Sequence, residues 1–194
     1  GVHTGLFHYA GSLGTNYALT RRPEYAEMFV WMIQRAYRHY QSKPTTYGGP
    51  WGMDSDFRIH SIFPAWDAVE ECPALTDAQR LDVTKILHLW VSDLAHKGVA
   101  HGQKVRFNHT TFPALGCHFA GEYFWNHYRA WQGRLWLEQA REVFDFQSQT
   151  FKPHCDCNSY QWLTLQHVML YNLAIGRLDY FANGLAERNA RYLI

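Results

Sequence analysis

No uninterrupted apolar run in this chain approaches the roughly 20 residues that a helix needs to cross a bilayer, so no membrane-spanning segment is expected. Cysteine is scarce. The 194 residues hold four, Cys72, Cys117, Cys155 and Cys157, too few and too scattered for a disulfide framework. A charge excess of either sign is also missing, with 18 Lys and Arg against 17 Asp and Glu and a net charge of +1. So small a field gives no reason to expect a nucleic-acid partner, although a local basic patch remains open. Strict apolar-polar alternation is absent too, so no strand is expected. The chain starts without Met and without a leader-like segment and is read as a mature or excised piece of something longer.

What is present is apolar and aromatic. Eight Trp, twelve Tyr and twelve Phe suit either a packed helical core or a surface that stacks on ring-shaped ligands. A chain of this length buries a substantial core, and residues 1–194 are expected to form a single domain. Apolar residues recur at helical spacing in segments that come in pairs. Residues 4–20 are rich in small residues, and Pro23 then opens a segment whose apolar face holds Phe29, Ile33, Ala36, Tyr37 and Tyr40. After a loop at 42–56, Ile59, Ile62, Phe63, Trp66 and Val69 form a second stripe. Thr76-Asp77-Ala78-Gln79 has the form of a capping box and opens a helix with Val83, Ile86, Leu87, Trp90 and Leu94 on one face.

A loop at 96–107 precedes a helix at 111–128, Gly133 is expected to mark a break, and 135–146 is the partner helix. A further loop at 150–158 leads to 160–174, Gly176 punctuates, and 178–193 completes a fourth pair. The turns around residues 20–25, 130–136 and 174–180 look related but are unevenly spaced. The expected fold is therefore all-α, an incomplete (α/α) toroid of about four helical hairpins with degenerate repetition. In such a ring every odd-numbered helix starts at one rim. That rim would gather Asn108 and His109, which open the fifth helix, and Tyr160, which opens the seventh. Helix starts also favour anionic ligands there.

Asn108, His109 and Tyr160 are the candidate catalytic residues. An amide and an imidazole can hydrogen-bond a carboxylate, and a phenol can exchange a proton, a set suited to proton abstraction beside a carboxylate. The competing reading makes Asn108 a helix cap and Tyr160 a packed aromatic. The run Arg106-Phe107-Asn108-His109-Thr110-Thr111-Phe112-Pro113-Ala114-Leu115-Gly116, followed by Asp156-Cys157-Asn158-Ser159-Tyr160 with His167 and Tyr171 beyond, resembles the helical domain of heparinase II/III-type polysaccharide lyases. Asn158 stands where that family often has Gly, and Gln161-Trp162 replaces a common Glu-Gly.

The resemblance implies β-elimination on a uronic-acid-containing polysaccharide. Asn108 and His109 would neutralise the uronate carboxylate, and Tyr160 would act as base and acid, with His109 as base for the opposite epimer. It further implies an anionic polysaccharide substrate, no cofactor, a secreted or periplasmic protein, and a C-terminal β-sandwich domain absent from these residues. Candidate substrate-binding residues are Arg106 and Arg58 for carboxylate or sulfate, Trp51 and Trp66 as sugar platforms, His167 along the channel, and His3 near the rim.

Three other assignments are open. Asp54 and Asp56 would serve a toroid glycoside hydrolase as an acid-base pair. A non-catalytic carbohydrate-binding helical module would use the Trp-rich rim without chemistry. Cys117, His118, Cys155 and Cys157, with His154, have ligand chemistry for zinc, as in lanthionine cyclases. C-x-C is cramped for one tetrahedral ion and the Gly-rich signatures of that family are missing, so packing is the preferred role for Cys117 and His118 and no metal is assigned.

Overall fold

The computed structural model describes residues 2–42, 57, 59–100, 108–149 and 158–191. These residues are 89% helical, and no strand occurs among them, so the fold is all-α. The helices are α1 (Val2–Thr20), α2 (Pro23–Ser42), α3 (Ile59–Glu70), α4 (Asp77–Leu94), α5 (Asn108–Tyr128), α6 (Trp131–Gln149), α7 (Asn158–Ala174), α8 (Asp179–Ala182) and α9 (Leu185–Arg191). They group into two compact units, residues 1–93 and 94–194. The division falls in the last turn of α4, where the sequence carries no loop signal.

In the first unit, α1 packs on α2 and α3. A Cβ added at Gly11 would stand 2.6 Å from Ser61 Oγ, and one at Gly14 would stand 2.8 Å from Ala65 Cα, so the two glycines let α1 and α3 touch backbone to backbone. Residue numbers rise together along this contact, which makes α1 and α3 parallel. The stripe Ile59, Ile62, Phe63, Trp66 and Val69 is buried as its spacing predicts, and so are Val83, Ile86, Leu87, Trp90 and Leu94. Helix α4 begins with the expected capping box: Thr76 N–H donates to Gln79 Oε1 at 2.9 Å and Gln79 N–H to Thr76 Oγ1 at 3.2 Å. Arg80 reaches back to the carbonyls of Glu70 (2.7 Å) and Cys72 (2.9 Å), satisfying acceptors at the end of α3.

The second unit begins where α4 passes into a π-helical segment, Ala95–Ala100, in place of part of the loop expected at 96–107. Helices α5 and α6 form an antiparallel hairpin. Gly133 does not break the chain as expected. It lies inside α6, where a Cβ would meet Gly121 O at 2.9 Å, so the pair Gly121 and Gly133 is a close helix crossing. The break is made by Arg129, at φ 51°, whose N–H donates to Trp125 O at 3.1 Å and whose guanidinium lies over the Trp125 ring. Arg21 closes α1 in the same way, at φ 55°, donating to Tyr17 O and stacking on Tyr17. Stacking offsets the cost of the left-handed conformation for a residue with a Cβ.

Gly176, at φ 68°, ends α7 as expected, with Arg177 N–H on Asn172 O. The helix expected at 178–193 is instead two short ones, because Gly184 at φ 81° interrupts it.

Candidate functional site

Helix α5 opens on a polar turn that is unusually deep. Asn108, Thr110 and Thr111 are buried and His109 is half-buried. Pro113, the sixth residue of α5, supplies no N–H to the His109 carbonyl four residues earlier. The π-helical segment packs there: a Cβ on Gly98 would stand 2.8 Å from Pro113 Cγ and 3.0 Å from His109 O. Only a glycine lets that segment press on the turn carrying Asn108 and His109.

The interior behind this turn is a polar seam. Gln147 Nε2–H of α6 donates to Thr111 Oγ1 of α5 at 2.8 Å. Asn172 Nδ2–H of α7 donates to Ser148 Oγ of α6 at 2.9 Å and to Val168 O at 2.8 Å. Aromatic contacts tie α7 to the others: Phe112 lies 4.5 Å from the His167 ring, His118 meets Tyr171 edge-on at 5.0 Å, and Tyr171 stacks on Phe144 at 4.3 Å. Because Phe112 pairs with His167 and His118 with Tyr171, α5 and α7 run in the same direction along this contact. Their first turns lie at the same end of the unit, one carrying Asn108 and His109, the other Tyr160.

The electrostatics of the seam are those of neutral rings. His167 Nδ1 stands 2.7 Å from Leu163 O, which can only accept, so Nδ1 carries the proton. Burial lowers the pKa of His118, against an opposing pull from Glu122, and keeps the ring neutral. Burial and then Asp145 raise the Tyr171 phenol above its usual range, so it stays protonated. Asp145 is itself bridged by Arg141 at 3.2 Å and Arg177 at 2.6 Å, which fastens the turn after α7 to α6.

Several sequence expectations are repositioned. Trp66 is no sugar platform. It lies in the core of the first unit, fully buried, stacked on Phe29 at 5.8 Å and donating its indole N–H to Thr84 Oγ1 at 3.3 Å. His167 is buried, with its ring against Phe112 of α5. Cys117 is buried, and burial pushes its thiol strongly upward, away from the thiolate a metal would need. Among the described residues no group of three His, Cys, Asp or Glu side chains converges as a metal site. Trp51, Asp54, Asp56, Arg58, Arg106, His154, Cys155 and Cys157 lie outside the described residues, and His3 and Tyr160 are described by backbone alone, in α1 and in the first turn of α7.

Two residues escape a reading built on the Asn-His pair. Trp162 is 53% exposed within the first turns of α7, the end that carries Tyr160. His60 stands second in α3 as His109 stands second in α5, within matching stretches: Ile59-His60-Ser61-Ile62-Phe63-Pro64-Ala65 and Asn108-His109-Thr110-Thr111-Phe112-Pro113-Ala114. The shared His, hydroxyl residue and Phe-Pro-Ala were a visible signal of repetition at the level of helix starts. In comparisons with known proteins no family model matches the chain, and neither a curated protein nor a solved structure matches it.

Proposed function

We propose that this chain is the catalytic helical part of a lyase that cleaves a uronic-acid-containing polysaccharide by β-elimination, built as an incomplete α/α toroid. The observation that carries the reading is the shared direction of α5 and α7, which supports a site assembled from both first turns. The chemistry requires that a carboxylate be neutralised before the carbon beside it gives up its proton. Asn108 and His109 supply hydrogen bonds to that carboxylate from a turn whose buried surroundings strengthen them. Tyr160, as phenolate, takes the C5 proton, the electrons form the C4–C5 double bond, and the C4–O bond breaks. The phenol then returns the proton to the departing oxygen. For the opposite epimer His109 is the base.

The π-helical segment against His109 fits this role, since interruptions of regular helix concentrate at functional sites. Trp162 replaces Trp66 as the proposed sugar platform. A polymeric substrate implies a secreted or periplasmic protein, and a β-sandwich domain on the same polypeptide would complete the cleft. The test uses the full-length protein with alginate and glycosaminoglycan chains, following the ultraviolet absorbance of an unsaturated uronate. Tyr160→Phe and Asn108→Ala are each expected to lower kcat by about 10²-fold or more. Saturated products, or full activity in both variants, would overturn the reading.

A further inference from the structure

The outer face of α2 carries a stripe that is palindromic about Trp31. Along this face Glu24, Glu27, Met28, Trp31, Arg35 and Arg38 are all exposed, Trp31 by 50% and Met28 by 44%. Glu24 and Arg38 lie seven residues either side of Trp31, Glu27 and Arg35 four, and Met28 and Gln34 three. With a rise of about 1.5 Å per residue, the opposite charges stand roughly 10 Å and 6 Å from the centre. Glu24, Glu27, Met28, Trp31 and Gln34, with Gln79 of α4, line an open groove of about 600 Å³. Gln34 Nε2–H donates to Asp82 Oδ2 at 2.7 Å and fixes the wall that α4 contributes. Arg80, the cation nearest Gln79 in sequence, is turned away onto Glu70 O, Cys72 O and Asp77. Glu24 has a loose, exposed pair with Arg22 at 3.5 Å.

We propose that this face is a symmetric self-association surface, on which α2 of a second copy packs antiparallel with Trp31 at the two-fold axis. In that arrangement Glu24 meets the second copy's position 38, Glu27 meets position 35, and the two tryptophans stack on each other over the methionines. A two-fold contact requires a patch that complements itself, and acid-aromatic-base at equal spacing does so only antiparallel. Parallel packing would set Glu against Glu and Arg against Arg, which is destabilising. A single helix pair falls at the small end of specific interfaces, under about 1,200 Å². The association is therefore reversible and salt-sensitive.

Sedimentation of the full chain over a range of concentrations tests this independently of any enzymatic activity. The wild type is expected to show a reversible monomer-dimer equilibrium that weakens with salt, and Trp31→Ala to weaken it by about tenfold or more. The variants Glu24→Arg/Glu27→Arg and Arg35→Glu/Arg38→Glu carry stripes of one sign, and each alone is expected to be monomeric. Mixed one to one, they are expected to form a heterodimer, which a folding defect would not produce. The substituted positions are all exposed, and circular dichroism checks that each variant is folded. A wild type that stays monomeric at every concentration overturns the proposal. So does a dimer that survives either charge reversal, or a mixture of the two variants that fails to associate.

Discussion

Helices α3 and α5 share a beginning and differ in what it buries. Phe-Pro-Ala occupies the same positions in both, and a histidine stands second in each. Yet Ile59 and Ile62 of α3 are matched by Asn108 and Thr111 of α5, and all four are buried. The contrast extends through the two units. Of nine buried polar side chains among the described residues, Thr84 alone belongs to the first unit. Burying an amide or hydroxyl costs free energy unless it is hydrogen-bonded, and even then an apolar pair of the same shape does as well for stability. Among the described residues the first unit is packed mainly by apolar side chains, with buried Thr84 accepting from the Trp66 indole. The second unit instead carries hydrogen-bonded polar side chains through its interior, behind the turn that holds Asn108 and His109.

The largest expected effect separates the two interiors. Trp66→Ala should destabilise the protein by about 3–5 kcal/mol in denaturant unfolding, because it empties the centre of an apolar core. A loss below about 1 kcal/mol would mean that the first unit does not depend on that core. The seam is sharpened by a smaller effect. Gln147→Leu removes the donor to Thr111 and should cost about 1–3 kcal/mol, whereas Thr111→Val with Gln147→Leu should return close to wild-type stability. The double variant is nonetheless expected to lose turnover, since the seam fixes the turn carrying Asn108 and His109. Stability and turnover both retained would reduce the seam to packing.

The smallest effect is in pH. His118 has its pKa lowered in the folded state by burial, so below its ordinary value of about 6.5 the unfolded chain takes up the proton first. Stability should therefore fall as pH drops from about 7 toward the lowered folded pKa. His118→Gln should flatten part of that slope in thermal unfolding. An unchanged slope would place the titration elsewhere, His88 being lowered by burial as well.

Much of the framework was legible in the sequence. The stripes of α3 and α4, the capping box at Thr76 and the stop at Gly176 each rest on residues within a few positions of one another. The misplacements have local causes too. Gly133 reads as a break because glycine is the usual helix terminator, but here a helix crossing needed it, and Arg129 took the left-handed position with Trp125 beneath it. Trp66 stands both on the apolar stripe of α3 and among the candidate platforms, and of these two readings the stripe decides its place, stacked on Phe29 in the core.

By itself, the sequence determined that the chain is helical and where most helices begin, because periodicity, caps and prolines act over one or two turns. It also set Asn108 and His109 at a helix start. Tertiary structure alone decided that Asn108, Thr110 and Thr111 are buried while Trp31 and Trp162 are exposed, and that Gly98 presses on the His109 carbonyl. Those outcomes depend on contacts between residues tens of positions apart, which form only when complementary faces pack and which no local pattern encodes.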